Sequence, residues 1–171
     1  MTPPLEGPPE FHALFRDHAR YVWRCLRHLG VPDADADDVC QEVFLTAHRR
    51  LSTFEGRSAI RTWLYGIALR VASDYRRSAY VRRERVTAEP TDEHAAGSEP
   101  TPQAELRREL STLLERLDDE RREVVVLYEI EGFTMKEVAE LVGCPLQTAY
   151  SRLYSAREQL LAIAKSRGLR G

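Results

Sequence analysis

The sequence predicts an all-α protein made of two small helical domains joined by a flexible acidic linker. Apolar residues recur at spacings of three and four along most of the chain, which is the period of an amphipathic helix. No segment combines sustained alternation with β-branched enrichment, so we predict no strands. Residues 87–105 contain three prolines and no large apolar side chain, and therefore cannot bury a core. The predicted boundaries are 1–8 for a disordered leader, 9–80 and 105–171 for the two domains, and 81–104 for the linker.

Composition excludes several other classes of protein. The 171 residues are 43% hydrophobic and 30% charged, which is typical of a globular chain. The longest uncharged apolar run covers residues 124–128, far short of the roughly 20 residues that a membrane span needs. The first ten residues lack the basic start and apolar stretch of a secretory signal. With only three scattered cysteines, we predict a cytoplasmic protein with no disulfide framework and no membrane contact of its own.

The first two helices of the first domain have clear start and stop signals. The first is predicted over about residues 9–29 and ends at Gly30, with Pro32 beyond it as a stop. The second is predicted to begin near Asp33 or Asp35 and to run to about Leu51. Its first turn is rich in acids, which complement the positive end of the helix dipole.

The third helix of the first domain is predicted to begin at Ser58 and to run past Arg77. Apolar positions at helical spacing predict one buried stripe. This stripe consists of Ile60, Trp63, Leu64, Ile67, Ala68, Val71 and Tyr75. Tyr65 lies off the stripe, which makes it a better candidate than Trp63 for contact with a partner.

The second domain is predicted to begin with helices over about 106–117 and 119–131, with Gly132 ending the second. The segment FTMKEVAELVGCPLQTAYSRL (133–153) then predicts two short helices joined by a tight turn. Thr134 and Glu137 have the spacing of a capping box, and Gly143 is placed to end the first short helix. Pro145 can open the next one, because no backbone N–H is needed there. The buried seam of this last helix is predicted to be Leu146, Ala149, Leu153, Ala156 and Leu160.

Two short helices joined by a glycine turn are typical of a helix-turn-helix, whose second helix enters the major groove of DNA. Ala139 is small enough to let the two helices approach closely, and bases continue beyond the second one at Lys165, Arg167 and Arg170. The alternative is a helical hairpin with a solvated face. The side chains predicted to contact DNA are Gln147, Thr148, Tyr150, Ser151, Arg152, Tyr154, Ser155 and Arg157.

Charge is distributed unevenly along the chain, although the formal net charge is only −2. Residues 33–42 hold five acids and no base, and residues 57–85 hold eight arginines against two acids. Residues 87–105 hold five acids and no lysine or arginine, and residues 144–171 hold five bases and one acid. Two basic blocks are thus separated by an acidic one, with random clustering on solvated faces as the alternative.

Two motif blocks resemble the extracytoplasmic-function sigma factors of the sigma-70 family. The first is DDVCQEVFLTAHRRL (37–51), followed by F-E-G and by TWLYGIALRVASDYRR (62–77). The second is YEIEGFTMKEVAELVGCPLQTAYSRLYSAREQL (128–160). The resemblance implies a factor that binds core RNA polymerase, reads a −35 element with its last helix and melts a −10 element with its first domain. It implies no cofactor, no metal and no catalytic residue.

The resemblance also implies partners and residue roles. The partners are the clamp helices and flap of core polymerase, double-stranded promoter DNA, the non-template single strand and an anti-sigma factor. The second helix would dock on polymerase, because an acidic face over apolar anchors suits a basic partner, although the same acids could merely cap the helix. The polymerase-binding residues would be Asp37, Asp38, Gln41, Glu42 and Phe44.

The loop over residues 51–58 resembles the family's loop that captures a flipped base of the −10 element. Removing a base from the stack costs a few kcal/mol, so a pocket must hold it. Gly56 would allow close backbone approach, Phe54 would shape the pocket or simply pack, and Tyr65 would stack on a base. The residues implied to contact the −10 element are Phe54, Gly56, Arg61, Tyr65, Arg70, Arg76 and Arg77.

Three positions depart from the family pattern. Arg70 stands where relatives usually have asparagine, Tyr150 stands where they usually have a base, and Ser155 stands where they often have another. We therefore expect −10 and −35 sequences that differ from the common ones.

Other functions fit parts of the sequence. An ordinary transcriptional regulator would bind an operator alone as a dimer, and a helical adaptor would need no DNA. An enzyme is disfavoured, because the histidines form no evident triad with a nucleophile. Cys25 and His28 with Cys40 could suggest zinc, but a fourth ligand is not evident. Cys144 could sense redox state, although a small apolar role at the turn is favoured.

Overall fold

The computed structural model of the protein describes residues 10–85 and 101–168. This part of the chain forms α-helices and no strand, which confirms the all-α prediction. None of its helices is long and apolar enough to cross a membrane. The predicted leader, residues 86–100 of the predicted linker and Arg170 lie outside the described residues. The helices are α1 (Phe11–His28), α2 (Asp33–Arg50), α3 (Ile60–Arg85), α4 (Pro102–Leu114), α5 (Asp119–Val125), α6 (Met135–Val142) and α7 (Leu146–Ser166).

The chain divides into two compact units, and the division falls between Tyr75 and Arg76, inside α3. That helix continues to Arg85, beyond the predicted end of the first domain at residue 80. In the second unit, α4 begins at Pro102, with Thr101 as its N-cap, slightly before the predicted start at residue 105.

In the first unit, α1 and α2 are joined by a tight turn at Gly30, whose φ is 93°. The N–H of Val31 donates to Leu26 O at 3.0 Å and the N–H of Gly30 donates to Arg27 O at 3.1 Å. These two bonds form a Schellman motif, which needs a left-handed residue and therefore favours glycine. The predicted stop of the first helix at Gly30 is confirmed.

The buried face of α3 is wider than the predicted stripe. Tyr65 is only 1% exposed, and its ring meets Tyr21 of α1 edge-to-face with 5.4 Å between centroids. Trp63 is half-buried. The prediction that Tyr65 lies off the buried face is therefore wrong, because α1 covers a face of α3 that the 3–4 spacing of its apolar residues did not include.

In the second unit, a buried arginine joins α4 to α5. Arg122 is 8% exposed, and its guanidinium donates to the carbonyl oxygens of Leu114 and Leu117 at 2.9 Å and of Glu115 at 3.3 Å. The last carbonyl groups of a helix have no partner within the helix. Arg122 supplies those donors, so one side chain both ends α4 and fixes the start of α5.

A π turn over Val126–Ile130 continues α5. The N–H of Glu131 donates to Val126 O at 3.0 Å, which is the five-residue spacing of a π-helix. The sequence predicted one regular helix over 119–131. The apolar run at 124–127 is buried at every position, so it gives no periodicity from which a wider turn could be predicted.

The predicted helix-turn-helix is present as α6 and α7. The Glu137 carboxylate accepts from the Thr134 N–H at 2.8 Å, and the Glu137 N–H donates to Thr134 Oγ1 at 3.4 Å, which confirms the capping box. Gly143 ends α6 with φ 70°, in the left-handed region. A Cβ there would meet nothing within 4 Å, so the backbone conformation and not crowding favours glycine.

The seam of α7 is buried at Ala149, Leu153 and Ala156, and half-buried at Leu160. Leu146 is 47% exposed, so its predicted burial is wrong. It is the first residue of α7, and helical side chains lean toward the N-terminus, so this one points off the end of the helix.

Candidate polymerase and promoter interfaces

Four of the five predicted polymerase-binding residues form one exposed face of α2. Asp37, Asp38, Gln41 and Glu42 are all exposed, and Leu45 one turn further is 56% exposed. Their spacing places them together on the helix surface. We call Asp37, Asp38, Gln41, Glu42 and Leu45 the acidic face. Leu45 was missed from sequence because its exposure depends on which side of α2 packs against α1.

An aromatic cluster lies beneath the acidic face. Phe44 is 2% exposed and packs edge-to-face against Phe15, with 4.8 Å between ring centroids, and against Phe11 at 6.5 Å. Phe44 therefore supports the face from below and does not reach its surface. Phe15 is 44% exposed and brings the cluster to the surface, which the sequence did not indicate.

The predicted base-capture loop contains a short 3₁₀ turn (Leu51–Thr53) and then Gly56, which is exposed with φ 67°. The ring of Phe54 lies 5.2 Å from that of Trp63, tilted by 50°. A Cβ at Gly56 would meet nothing within 4 Å, so its backbone is open to an incoming group. The loop thus places an aromatic pair beside an accessible stretch of backbone.

Arg61 is exposed, and its guanidinium lies 3.9 Å from the centroid of the Tyr21 ring. Cation–π contact of this kind holds a long side chain in one direction. Tyr21 in turn rests on buried Tyr65. Tyr65 therefore presents no ring face to a base in this structure, and it contacts Tyr21, on whose ring Arg61 lies.

The other arginines predicted to contact the −10 element differ in their surroundings. Arg70 and Arg77 are exposed. Arg76, which belongs to the second unit, is 10% exposed and pairs with Asp119 at 3.0 Å and Glu123 at 2.7 Å. Burial raises the pKa of Glu123, and the neighbouring Arg76 opposes that change.

On α7, five of the eight residues predicted to contact DNA face outward. Gln147, Ser151 and Tyr154 are exposed, and Thr148 and Tyr150 are half-buried. The rings of Tyr150 and Tyr154 stack with 6.3 Å between centroids and 21° between planes.

The remaining three are held by α5 and the π turn that follows it. Arg152 pairs with Glu120 at 2.8 Å, and Ser155 Oγ accepts from Arg121 Nε at 2.9 Å. Arg157 Nε donates to Glu129 Oε1 at 2.7 Å, and this hydrogen bond raises the pKa of Arg157. Sequence reasoning found the basic residues of α7 but not the carboxylates that neutralise them, because these lie 28 to 32 residues earlier in the chain.

Two of the three cysteines lie in the interior of the first unit. Cys25 and Cys40 are buried, and burial raises the pKa of the Cys40 thiol to about 11. Within residues 10–85 and 101–168, no group of three or more histidine, cysteine, aspartate or glutamate side chains could hold a metal ion.

A helix-turn-helix with a polar outer face defines the second unit as a DNA-binding domain. Residues 107–160 match the family described as sigma-70, region 4, and residues 14–82 match sigma-70 region 2. RNA polymerase sigma factor NccH of Alcaligenes xylosoxydans xylosoxydans is 32% identical over 162 residues, which cover 91% of this chain and 87% of that protein. The ECF RNA polymerase sigma-E factor of Escherichia coli K12 is 35% identical over 141 residues, covering 76% and 74%.

Two solved structures are similar to this chain over 91% of its length. CnrH, solved in complex with the cytosolic domain of CnrY, is 27% identical with a TM-score of 0.66, covering 91% of this chain and 88% of its own. The sigma factor RpoE of Bartonella quintana, solved with the anti-sigma factor NepR, has a TM-score of 0.69 at 21% identity, covering 91% and 96%, and shows the shared fold. The chain belongs to the extracytoplasmic-function sigma factors of the sigma-70 family. It is a non-enzymatic transcription initiation factor that binds core RNA polymerase and directs it to promoters.

Proposed function

We propose a division of this work among three surfaces. The acidic face of α2 docks on the clamp helices of core polymerase, the loop over residues 51–58 with α3 binds the −10 element, and α7 reads the −35 element. The observation that carries this proposal is the contrast between exposed carboxylates over an aromatic floor in one unit and a polar helix-turn-helix face in the other. The work is done in the cytoplasm, where polymerase and promoter meet.

Docking through α2 follows from its chemistry. Exposed Asp38 and Glu42 attract a basic partner surface, which raises the rate of encounter. Leu45 and Phe15 supply exposed apolar area next to those charges. Charged side chains around an apolar centre match the usual anatomy of a protein interface.

Binding of the −10 element uses the aromatic pair Phe54 and Trp63 and the arginines of α3. A base that leaves the duplex needs an apolar surface to replace its stacking, and the two rings lie beside the open backbone at Gly56. Exposed Arg61 and Arg70 supply positive charge for the phosphates of the opened strand.

Reading of the −35 element uses the exposed stripe of α7. The N-terminal residues of a recognition helix contact base edges in the major groove. Gln147 and Ser151 can form hydrogen bonds with those edges. Exposed Lys165 and Arg167 near the end of the helix add salt-dependent attraction to the backbone.

Control by an anti-sigma factor is the further part of the proposal. CnrH, which is 27% identical to this chain, was solved with a bound protein partner. The acidic face of α2, with exposed Phe15 and Leu45 beside it, would be blocked by any partner that covers it. A factor bound there would keep this chain off polymerase until released.

The test is run-off transcription with purified bacterial core polymerase and a promoter library, with and without the protein. Start sites that depend on the protein are expected, and the enriched −35 and −10 sequences should differ from the common ones at the positions near Tyr150 and Arg70. An ordinary regulator would instead give no new start sites and would bind duplex DNA tightly by itself. That result would overturn the assignment of the three surfaces.

A further inference from the structure

We infer that Tyr150 and Tyr154 form one apolar ridge that selects the 5-methyl groups of thymines in the −35 element. The inference rests on the proposed function of α7 and adds the chemistry of the bases that this helix reads. We call the two stacked rings the tyrosine ridge.

The geometry of the ridge suits an intermolecular contact. Tyr150 and Tyr154 are one helical turn apart, and their rings are nearly parallel at 21°, with 6.3 Å between centroids. Tyr154 is 57% exposed, while the adjacent residue Leu153, which belongs to the buried seam, is 2% exposed. The helix is therefore anchored through its seam, and the ridge extends from half-buried Tyr150 to exposed Tyr154.

The arginines beside the ridge are paired with carboxylates from other elements. Arg152 and Arg157 are paired with Glu120 and Glu129 on α5 and the π turn. Glu158, one turn beyond Tyr154, is exposed, and its carboxylate disfavours a phosphate at that position. The middle of the DNA-facing stripe therefore consists of aromatic rings and not of cations.

The major groove offers very little for an apolar ridge to bind. Every base pair presents hydrogen-bond donors and acceptors there, but only thymine presents an apolar group, its C5-methyl. The tyrosine hydroxyl can both donate and accept, so by itself it distinguishes the bases poorly. Selectivity must come from the rings, and the group that rings can select is the thymine methyl.

The experiment uses holoenzyme made from core polymerase and the full chain, on a promoter taken from the run-off library. Each thymine of its −35 element is replaced in turn by deoxyuridine, which lacks only the methyl group. We expect open-complex formation to fall about fourfold at each thymine that contacts the ridge, which corresponds to the loss of one buried methyl group. Replacing a cytosine at a neighbouring ridge position by 5-methylcytosine should give a gain of the same size.

The matching protein variants are Tyr150→Ala with Tyr154→Ala, and Tyr150→Phe with Tyr154→Phe. The alanine pair should treat thymine and deoxyuridine alike, whereas the phenylalanine pair should keep the discrimination, because it keeps the rings. Tyr80→Ala, which removes another exposed tyrosine, on α3, is the control and should discriminate as the unmodified protein does.

The outcomes separate the two levels of the proposal. If scrambling the whole −35 element changes nothing, α7 does not read it, and both the proposed function of α7 and the inference fail. If the element matters but deoxyuridine is tolerated, the inference alone is overturned. Equal discrimination by the unmodified protein and the alanine pair would also overturn it, since another group would then be reading the methyl.

Discussion

The acidic face of α2 and the polar face of α7 use charge in opposite ways. On α2, the carboxylates of Asp38 and Glu42 stand exposed over a buried aromatic floor. On α7, Arg152 and Arg157 are paired with carboxylates from α5 and the π turn. The comparison shows that the number of charged residues in a segment does not give the net charge that its surface presents to a partner. Some of those charges are neutralised by ion pairs with other elements. Under the proposed function, the acidic face of α2 attracts a basic partner from a distance, whereas the middle of α7 reads DNA at contact.

The ion pairs on α7 are weak enough to be exchanged. Arg157 and Glu129 are 45% and 41% exposed, and ion pairs of this kind contribute little to stability because solvent and salt screen them. A DNA phosphate can therefore replace the carboxylate at little cost. The arginines of α7 would then contribute affinity only once the helix is already in the groove.

The largest effect is expected from the buried arginine that fixes the second unit. Arg122→Met should lower the free energy of unfolding of that unit by about 2–3 kcal/mol, because three carbonyl oxygens each lose a charged donor, although Leu114 O keeps the N–H of Leu117 as a backbone partner. Urea unfolding followed by far-UV circular dichroism should show the loss. Both tryptophans, Trp23 and Trp63, lie in the first unit, so the fluorescence transition should not move.

Arg116→Met is the control for this change, because the Arg116 side chain is exposed. It should change the free energy of unfolding by less than about 0.5 kcal/mol. A shift of the tryptophan transition in Arg122→Met would mean that the two units do not unfold independently.

The next largest effect is expected on the acidic face. Asp38→Lys with Glu42→Lys should weaken binding to core polymerase about tenfold or more, because like charges would then face each other. Competition binding with labelled polymerase measures the change, and circular dichroism checks the fold. The control is charge reversal at Glu10 and Asp17, two exposed acids that lie outside the motif at residues 37–51. If the variant with Asp38→Lys and Glu42→Lys bound core polymerase with unchanged affinity, the assignment of α2 as the docking surface would be overturned.

A smaller effect is expected from releasing the arginines of α7. Glu120→Gln with Glu129→Gln should strengthen non-specific duplex binding by the holoenzyme about three- to tenfold and steepen its salt dependence, because Arg152 and Arg157 become available to phosphates. Titration at several salt concentrations measures both. Glu109→Gln with Glu140→Gln removes the same charge elsewhere on the second unit. Equal gains from both pairs would show that overall charge, and not release, is responsible.

The smallest effect concerns the buried thiol of the first unit. Burial raises the pKa of Cys40 from 9.0 to about 11, so the folded protein keeps a proton that the unfolded chain releases above pH 9.0. The free energy of unfolding should therefore fall as pH rises from 9.0 toward about 11. The loss should be less than about 1 kcal/mol near pH 9.5.

Tryptophan fluorescence during urea unfolding reports this unit. Cys40→Ala should remove the alkaline contribution, while Cys144→Ala in the second unit should follow the unmodified protein. An identical pH dependence in Cys40→Ala would show that another group causes it.

Local signals allowed much of the fold to be predicted. Gly30, the Thr134 and Glu137 capping box and Gly143 each act over a few residues, so the sequence contains the whole interaction. The family motifs likewise lie in continuous segments. The acidic face of α2 could be predicted because consecutive helical turns place its residues together.

The errors arose where one element covers another. Tyr65 is buried by Tyr21, which lies 44 residues earlier, and helical spacing within α3 does not contain that contact. The carboxylate partners of Arg152 and Arg157 come from another segment in the same way. Nothing in the sequence marks Arg122 as buried, because its three carbonyl partners come together only when the α4–α5 turn is folded.

The π turn over Val126–Ile130 limits how recognition helices can be exchanged between relatives. It brings Tyr128 and Glu129 against Arg157, with the guanidinium 6.0 Å from the Tyr128 ring centroid. A chimera that lost the extra residue of this turn would rotate everything downstream by about 100° about the helix axis. Grafts made before Asp118 carry the turn with the recognition helix, so they are the ones that should transfer promoter preference intact.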